Sequence, residues 1–89
     1  MKAPYIEVTY RRGRPPAAYV YLDRAPGEKS VRTDTVGAGL LVDYSETGRP
    51  IGIEVTNPGQ ASVDALNQAL QDLGLPALAD RDSAPLRAA

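Results

Sequence analysis

The chain has 89 residues, a net charge of −1, and neither histidine nor cysteine. This length allows one domain with a small core, and the missing residue types exclude Ser-His-Asp and Cys-His catalysis, disulfides, and zinc sites made from thiolates or imidazoles. No hydrophobic run approaches the roughly 20 residues of a membrane helix, so we expect a cytoplasmic protein with no membrane partner and no cofactor.

The first part of the chain predicts three β-strands, at 5–10, 17–22 and 29–36. Apolar and polar residues alternate in the first, and Ala18, Val20 and Leu22 share one face of the second, which is the period of two that strands follow. The third segment is polar on both faces, which favours an exposed or edge position in a sheet. The glycine and prolines of 11–16 predict a loop between the first two strands.

Residues 39–57 are typical of a β-hairpin, and the other elements can be arranged around it. If Ser45 faces Pro50, six large side chains share one face of the hairpin. The predicted pairs are Leu40 with Val55, Val42 with Ile53, and Tyr44 with Ile51. Gly48 lies in the turn, where it can take a positive φ at no steric cost.

After the hairpin the apolar residues follow a helical period. Ser62 is the predicted N-cap of this helix, Gly74 its C-terminal glycine, and Pro76 prevents its continuation. The predicted fold is therefore α+β, an antiparallel β-meander of four to five strands with one C-terminal helix packed on one face. Residues 1–76 form a single domain in this prediction, and residues 77–89 form a loosely ordered or disordered tail.

Two groups of charged side chains are candidates for chemistry. Asp43 and Glu54 are diagonal neighbours on the polar face of the hairpin, where they could share a hard cation or, with one raised pKa, perform acid–base catalysis. Arg11, Arg12 and Arg14 could hold phosphates near the tyrosines of the second strand. A solvated strand face and a solvated turn are the competing interpretations.

The sheet face opposite the predicted helix has an aromatic character, since it carries Tyr5, Tyr19, Tyr21 and Leu41. One helix covers only one face of a sheet, and tyrosine is a favoured interface residue. We therefore expect a homodimer or a protein partner at this face. The alternative is that the tyrosines form cross-strand pairs on a solvated surface.

Several segments resemble a family of short bacterial proteins in both residue type and spacing. They are Ala18-Tyr19-Val20-Tyr21-Leu22, Leu41-Val42-Asp43-Tyr44, Gly48 and Gly52-Ile53-Glu54-Val55. Over residues 17–57 the chain resembles domain of unknown function 2283, also called YuzE-like. The resemblance implies a compact sheet with no established activity, and some members of the family look like the second partner of toxin–antitoxin gene pairs. It supplies no catalytic residues.

The leading functional hypothesis is a non-catalytic protein-interaction module of an antitoxin-like kind. One alternative is a small metal-binding enzyme that depends on Asp43 and Glu54. The other is an RNA-binding accessory protein that uses Arg11, Arg12 and Arg14, which we call the arginine loop. Nucleic acid ranks behind protein as the expected partner. Stabilisation by divalent cations would support the first alternative, and salt-dependent binding of nucleic acid would support the second.

Overall fold

The computed structural model describes residues 4–37, 39–56, 58 and 60–88. Its elements are β1 (Tyr5–Arg11), β2 (Arg14–Tyr21), β3 (Ser30–Thr35), β4 (Leu40–Ser45), β5 (Pro50–Val55), α1 (Gln60–Asp72) and α2 (Asp80–Ala88). All paired strands are antiparallel. The predicted antiparallel sheet is confirmed, but two helices follow it rather than one. Within the described residues, neither helix is long and apolar enough to cross a membrane.

The strand order is β1-β2-β5-β4-β3, so the predicted meander is wrong. In a meander each strand would pair with the next in sequence, whereas here β5 lies between β2 and β4. The segment 22–29 therefore crosses one end of the sheet and carries the chain from β2 to the far edge. A connection of this length allows β5 to occupy the central position and pair on both sides.

Arginine side chains attach this crossing segment to the β4–β5 hairpin. Arg24 donates to the carbonyl of Ile51 at 3.2 Å, and Arg49 donates to the carbonyl of Asp23. Arg49 also lies 3.8 Å from the carboxylate of Glu28, and that carboxylate accepts a bond from a backbone N–H of the same segment. These contacts join the crossing segment to β5 and to the turn that precedes it, both of which are distant in sequence.

The first hairpin is longer than predicted, because β2 begins at Arg14 and includes both prolines. Arg12 and Gly13 form the turn, in which Gly13 has a φ of 71°. Proline has no N–H to donate, and it is tolerated where a strand lacks a second neighbour. The pairing of β2 with β5 spans only Ala18 to Tyr21, so the prolines lie where β1 is the partner strand.

The register of the central hairpin agrees with the prediction at two of its three apolar pairs. Leu40 faces Val55 and Val42 faces Ile53, but Tyr44 faces Pro50 rather than Ile51. The register shifts between Asp43 and Tyr44, because a bulge places one additional residue on β5. Four residues form the turn, and Gly48 has the expected positive φ of 85°.

Buried side chains from the strands and both helices form one hydrophobic cluster. Its members with no more than 1% exposure are Val20, Val42, Ile53, Val55, Leu66, Leu70 and Leu86. Helix α1 begins at Gln60, so Ser62 lies inside the helix and its prediction as the N-cap is wrong. At the other end Gly74 has a φ of 78°, and the N–H of Leu75 donates to the carbonyl of Leu70 at 2.8 Å, which is a Schellman cap.

Helix α2 occupies the segment for which we expected a loosely ordered or disordered tail. Its first turn contains Asp80 and Asp82, which suit the positive end of a helix dipole. Leu86 is fully buried, and Leu78, which precedes the helix, is 8% exposed. The asparagine side chain of Asn67 in α1 accepts a bond from the Leu78 N–H at 3.0 Å. The domain boundary at residue 76 stays a prediction.

Candidate functional site

The strand register aligns two rows of residues across the sheet, one residue from each strand. The first row is Tyr5, Tyr21, Gly52, Asp43 and Thr33, and the second is Glu7, Tyr19, Glu54, Leu41 and Thr35. Side chains alternate between the two faces of a strand, so these rows share the face opposite Val20, Val42 and Ile53. We call this surface the tyrosine face.

Three tyrosines on this face form a continuous aromatic cluster. The rings of Tyr5 and Tyr21 are stacked with centroids 4.6 Å apart and an interplanar angle of 14°. The rings of Tyr19 and Tyr21 meet edge to face at 4.8 Å and 68°. Both geometries are favourable for aromatic pairs. All three side chains are partly exposed, so the cluster is packed and still accessible.

The ring of Tyr19 crosses over β5 because Gly52 has no side chain. A Cβ at Gly52 would overlap both the hydroxyl and the ring of Tyr19. The phenol therefore reaches the next strand, where it donates a hydrogen bond to Asp43 Oδ2 at 2.6 Å. Glycine in the middle of a strand often marks such a close approach.

The Asp43 carboxylate is held from both sides. Its Oδ2 accepts a hydrogen bond from the Tyr19 hydroxyl, and its Oδ1 accepts one from the Thr33 hydroxyl, also at 2.6 Å. Burial raises the pKa of Tyr19 to about 12, and the hydrogen bond and negative charge of Asp43 contribute to the increase. The phenol thus stays protonated at neutral pH and acts as a donor, which is the opposite of an activated base.

A second carboxylate bonds to the cluster at its other side. The Tyr21 hydroxyl donates to Glu7 Oε1 at 3.3 Å. Burial raises the pKa of Tyr21, and the charge and hydrogen bond of Glu7 raise it further. Arg24 lies at the margin of the face, where its positive charge partly opposes these increases in the pKa of both Tyr19 and Tyr21.

The predicted acidic pair lies on the tyrosine face. Asp43 faces Gly52, and Glu54 faces Leu41 on one side and Tyr19 on the other, so the two acids are diagonal neighbours. Asp43 is half-buried and hydrogen-bonded, whereas Glu54 is exposed. Among the described residues, no group of three or more acidic side chains is arranged to hold a metal ion.

The arginine loop is not close to the tyrosine cluster. Arg11 and Arg14 face each other at the turn of the β1–β2 hairpin, while Tyr5 and Tyr21 face each other at its opposite end. Arg12 is exposed, and the side chains of Arg11 and Arg14 lie outside the described part of the structure. The register therefore separates the arginines from the tyrosines, and the prediction that they lie near each other is wrong.

Sequence reasoning missed the hydrogen bonds that join Tyr19, Asp43 and Thr33. These residues come from β2, β4 and β3, and only the strand order brings them together. The one available signal was Gly52, an isolated glycine among the large residues of a predicted strand.

Comparison with known proteins identifies one family. Residues 17–57 match the family described as "Protein of unknown function (DUF2283)". This range contains Tyr19, Tyr21, Asp43, Gly52 and Glu54. No curated protein and no solved structure matches the chain.

Proposed function

We propose that this chain, which belongs to the DUF2283 family through residues 17–57, is a non-catalytic module that binds a basic protein through its tyrosine face. The observation that carries the proposal is the aromatic cluster of Tyr5, Tyr19 and Tyr21, which lies between two hydrogen-bonded carboxylates. Tyrosine combines a large apolar ring with a polar tip, and it is enriched among the residues that dominate binding energy.

The packing of the cluster supports a binding role. Tyr21 contacts a ring on each side, and the hydroxyl of Tyr19 is held by Asp43. Side chains that are already ordered lose less conformational entropy when a partner docks. The apolar residues of the opposite sheet face share a cluster with Leu66, Leu70 and Leu86 of the helices, which supports a sheet with one covered face and one open face.

The charges of the tyrosine face favour a basic partner. Its two rows contain Glu7, Asp43 and Glu54 and, within the described structure, no lysine or arginine; Arg24 lies at the margin. Carboxylates pair with basic side chains, and tyrosine rings attract cations through their faces. A second copy docked face to face would bring these carboxylates close to their own equivalents. We therefore favour a different protein over a homodimer at this face.

We rank the enzyme hypothesis behind the binding hypothesis, and the hydrogen bonds of Asp43 support this order. Both carboxylate oxygens of Asp43 already accept hydrogen bonds from hydroxyl groups. The raised pKa of Tyr19 does not suit a catalytic phenol, which would have to lose its proton. An antitoxin-like role is the narrower form of the proposal, in which the basic partner is the product of the neighbouring gene. We place this activity in the cytoplasm, as the sequence analysis predicted.

Co-expression with the product of the neighbouring gene tests the proposal. The two proteins should copurify at low salt and separate at high salt, because exposed ion pairs are screened. Substituting Tyr19 and Tyr21 together by Ser should abolish copurification while circular dichroism still reports a folded sheet. Glu54→Lys should weaken it through charge alone.

Tyr10→Ser is the matched control, since Tyr10 is 70% exposed and lies in β1 outside the two rows of the tyrosine face. It should leave copurification unchanged. Equal binding by the parent and the double tyrosine variant would refute the proposal for this partner. A face-to-face homodimer that Glu54→Lys strengthens would instead show that a second copy occupies the face.

A further inference from the structure

The edge strand β3 is exposed along its whole length. All six of its residues are exposed, and in the described part of the chain β4 is the one strand that pairs with it. Exposed edge strands are templates for pairing with another chain. At the other edge of the sheet, β1 is contacted by α2, so β3 is the less obstructed of the two edges.

The pairing with β4 determines which peptide groups of β3 are free. The N–H of Val36 donates to the carbonyl of Leu40 at 2.9 Å. Along an antiparallel pair, residues alternate between those directed at the partner strand and those directed away from it. Asp34 and Arg32 therefore point their peptide groups at β4, and Thr33 and Thr35 point theirs outwards.

This alternation restricts how β3 could pair with β3 of a second copy. In a symmetric antiparallel pair, outward-directed residues must face each other, so the axis passes through a residue of β3. The irregularity between Ser30 and Arg32 interrupts the alternation at Val31, and an axis at Thr35 would leave most of the strand unpaired. The candidates are therefore Arg32, Thr33 and Asp34. An axis through Arg32 or Asp34 would place like charges directly opposite each other, which is destabilising. An axis through Thr33 places Arg32 of each copy opposite Asp34 of the other.

We propose that the protein forms a symmetric dimer in which two β3 strands pair antiparallel about Thr33, giving a continuous ten-stranded sheet. The two Thr33 peptide groups exchange hydrogen bonds at the axis, and two Arg32–Asp34 pairs flank them. Within one chain Arg32 already lies 3.3 Å from Asp34, so in the dimer the four charges alternate in sign. Val31, which is 65% exposed, lies beside Thr35 of the second copy.

The dimer is independent of the proposed partner site. A two-fold axis perpendicular to the sheet keeps both tyrosine faces on the same side, so edge pairing leaves them open. The tyrosine substitutions should not change the dimer. The charge substitutions of Arg32 and Asp34 should not remove the tyrosine cluster, because these side chains lie on the other face of β3 from Thr33. Failure of one proposal is therefore distinguishable from failure of the other.

Charge reversal followed by charge exchange tests the pairing register. Sedimentation equilibrium on the purified chain should give a dimer with a Kd below about 1 mM. Arg32→Asp alone should raise that Kd by at least about tenfold, because symmetry creates two like-charge pairs. Adding Asp34→Arg should restore it. Arg32→Asp and the double variant both lose the contact of Arg32 with the ring of Tyr44 at 4.3 Å. A Kd restored in the double variant would therefore show that charge pairing, and not that contact, determines the association.

A single introduced cysteine tests the axis directly, because the natural chain has none. Directly opposite residues of a hydrogen-bonded pair lie about 5.5 Å apart between Cα atoms, within the range of a disulfide. Thr33→Cys should form a covalent dimer in a glutathione redox buffer, and the control Thr35→Cys should not. A monomeric parent at about 1 mM, unchanged association in Arg32→Asp, or equal cross-linking of the two cysteine variants would overturn the proposal.

Discussion

At the scale of single residues, Tyr19 connects the parts of the tyrosine face. Its ring packs edge-on against Tyr21, passes over Gly52, and carries a hydroxyl that bonds to Asp43. Each contact depends on a different strand of the sheet. A change in Tyr19 or in one of these neighbours should therefore be measurable in the others.

In a pH titration followed by the absorbance of ionised tyrosine, the Tyr19 phenol should titrate at about pH 12. Its contribution is identified as the part of the absorbance change that Tyr19→Phe removes. Asp43→Asn should lower the pKa of Tyr19 towards its ordinary value while leaving it raised, since burial is the larger cause. The matched control Glu7→Gln should lower the pKa of Tyr21 and leave that of Tyr19 unchanged. An unchanged Tyr19 titration in Asp43→Asn would contradict the hydrogen bond.

The same pKa shift has a consequence for stability. Because the pKa of Tyr19 is higher in the folded state than in the unfolded state, its stabilising contribution is complete below about pH 10 and is lost as the pH rises through about 12. Urea melts across this range should show a smaller loss of stability in Tyr19→Phe than in the parent.

Gly52→Ala should be destabilising although alanine suits a strand better than glycine. The new Cβ would occupy the place of the Tyr19 ring, which must leave Asp43, and we expect a cost of about 1 to 3 kcal/mol. Tyr19→Ser in the same chain should reduce that cost, because the obstruction is removed. Additive effects of the two substitutions in urea melts would contradict the close approach of Tyr19 and Gly52.

At the scale of elements, arginine contacts attach the crossing segment between β2 and β3 to the β4–β5 hairpin, while Leu22 at its start is buried in the shared core. Arg49→Ala removes the bonds to the Asp23 carbonyl and the Glu28 carboxylate, and should cost about 1 kcal/mol. Arg12→Ala, at the exposed turn of the β1–β2 hairpin, is the control and should cost under about 0.5 kcal/mol. Equal costs in urea melts would show that the segment is not attached in this way.

At the scale of the whole molecule, both helices contribute to one hydrophobic cluster. Leu70 of α1 and Leu86 of α2 are each buried, so truncating either to alanine leaves a cavity and should cost about 2 to 4 kcal/mol. Arg81→Ala, an exposed position on α2, is the control for the second helix. If Leu86→Ala proves as harmless as Arg81→Ala, residues 77–89 are the loosely ordered or disordered tail that the sequence predicts.

The sequence by itself determined the features that depend on neighbouring residues. Alternation predicted β1, β2, β4 and β5, the 3.6-residue period predicted α1, and Gly48 and Gly74 predicted the positions of positive φ. The polarity of β3 also predicted its place at an edge. These properties follow from local backbone geometry and from which side chains avoid water, so a short window of sequence contains the required information.

Only the tertiary structure decided the strand order, the bulge beside Tyr44 and the position of Tyr19 against Asp43. Each of these depends on which distant segments become neighbours, and several arrangements of the same strands satisfy the same alternation. Helix α2 differs for a related reason, since its apolar residues are few. Among the described side chains of residues 77–86, only Leu86 of the helix and Leu78 just before it enter the shared cluster. A weak local pattern becomes a helix when tertiary contacts compensate for the entropy of ordering it.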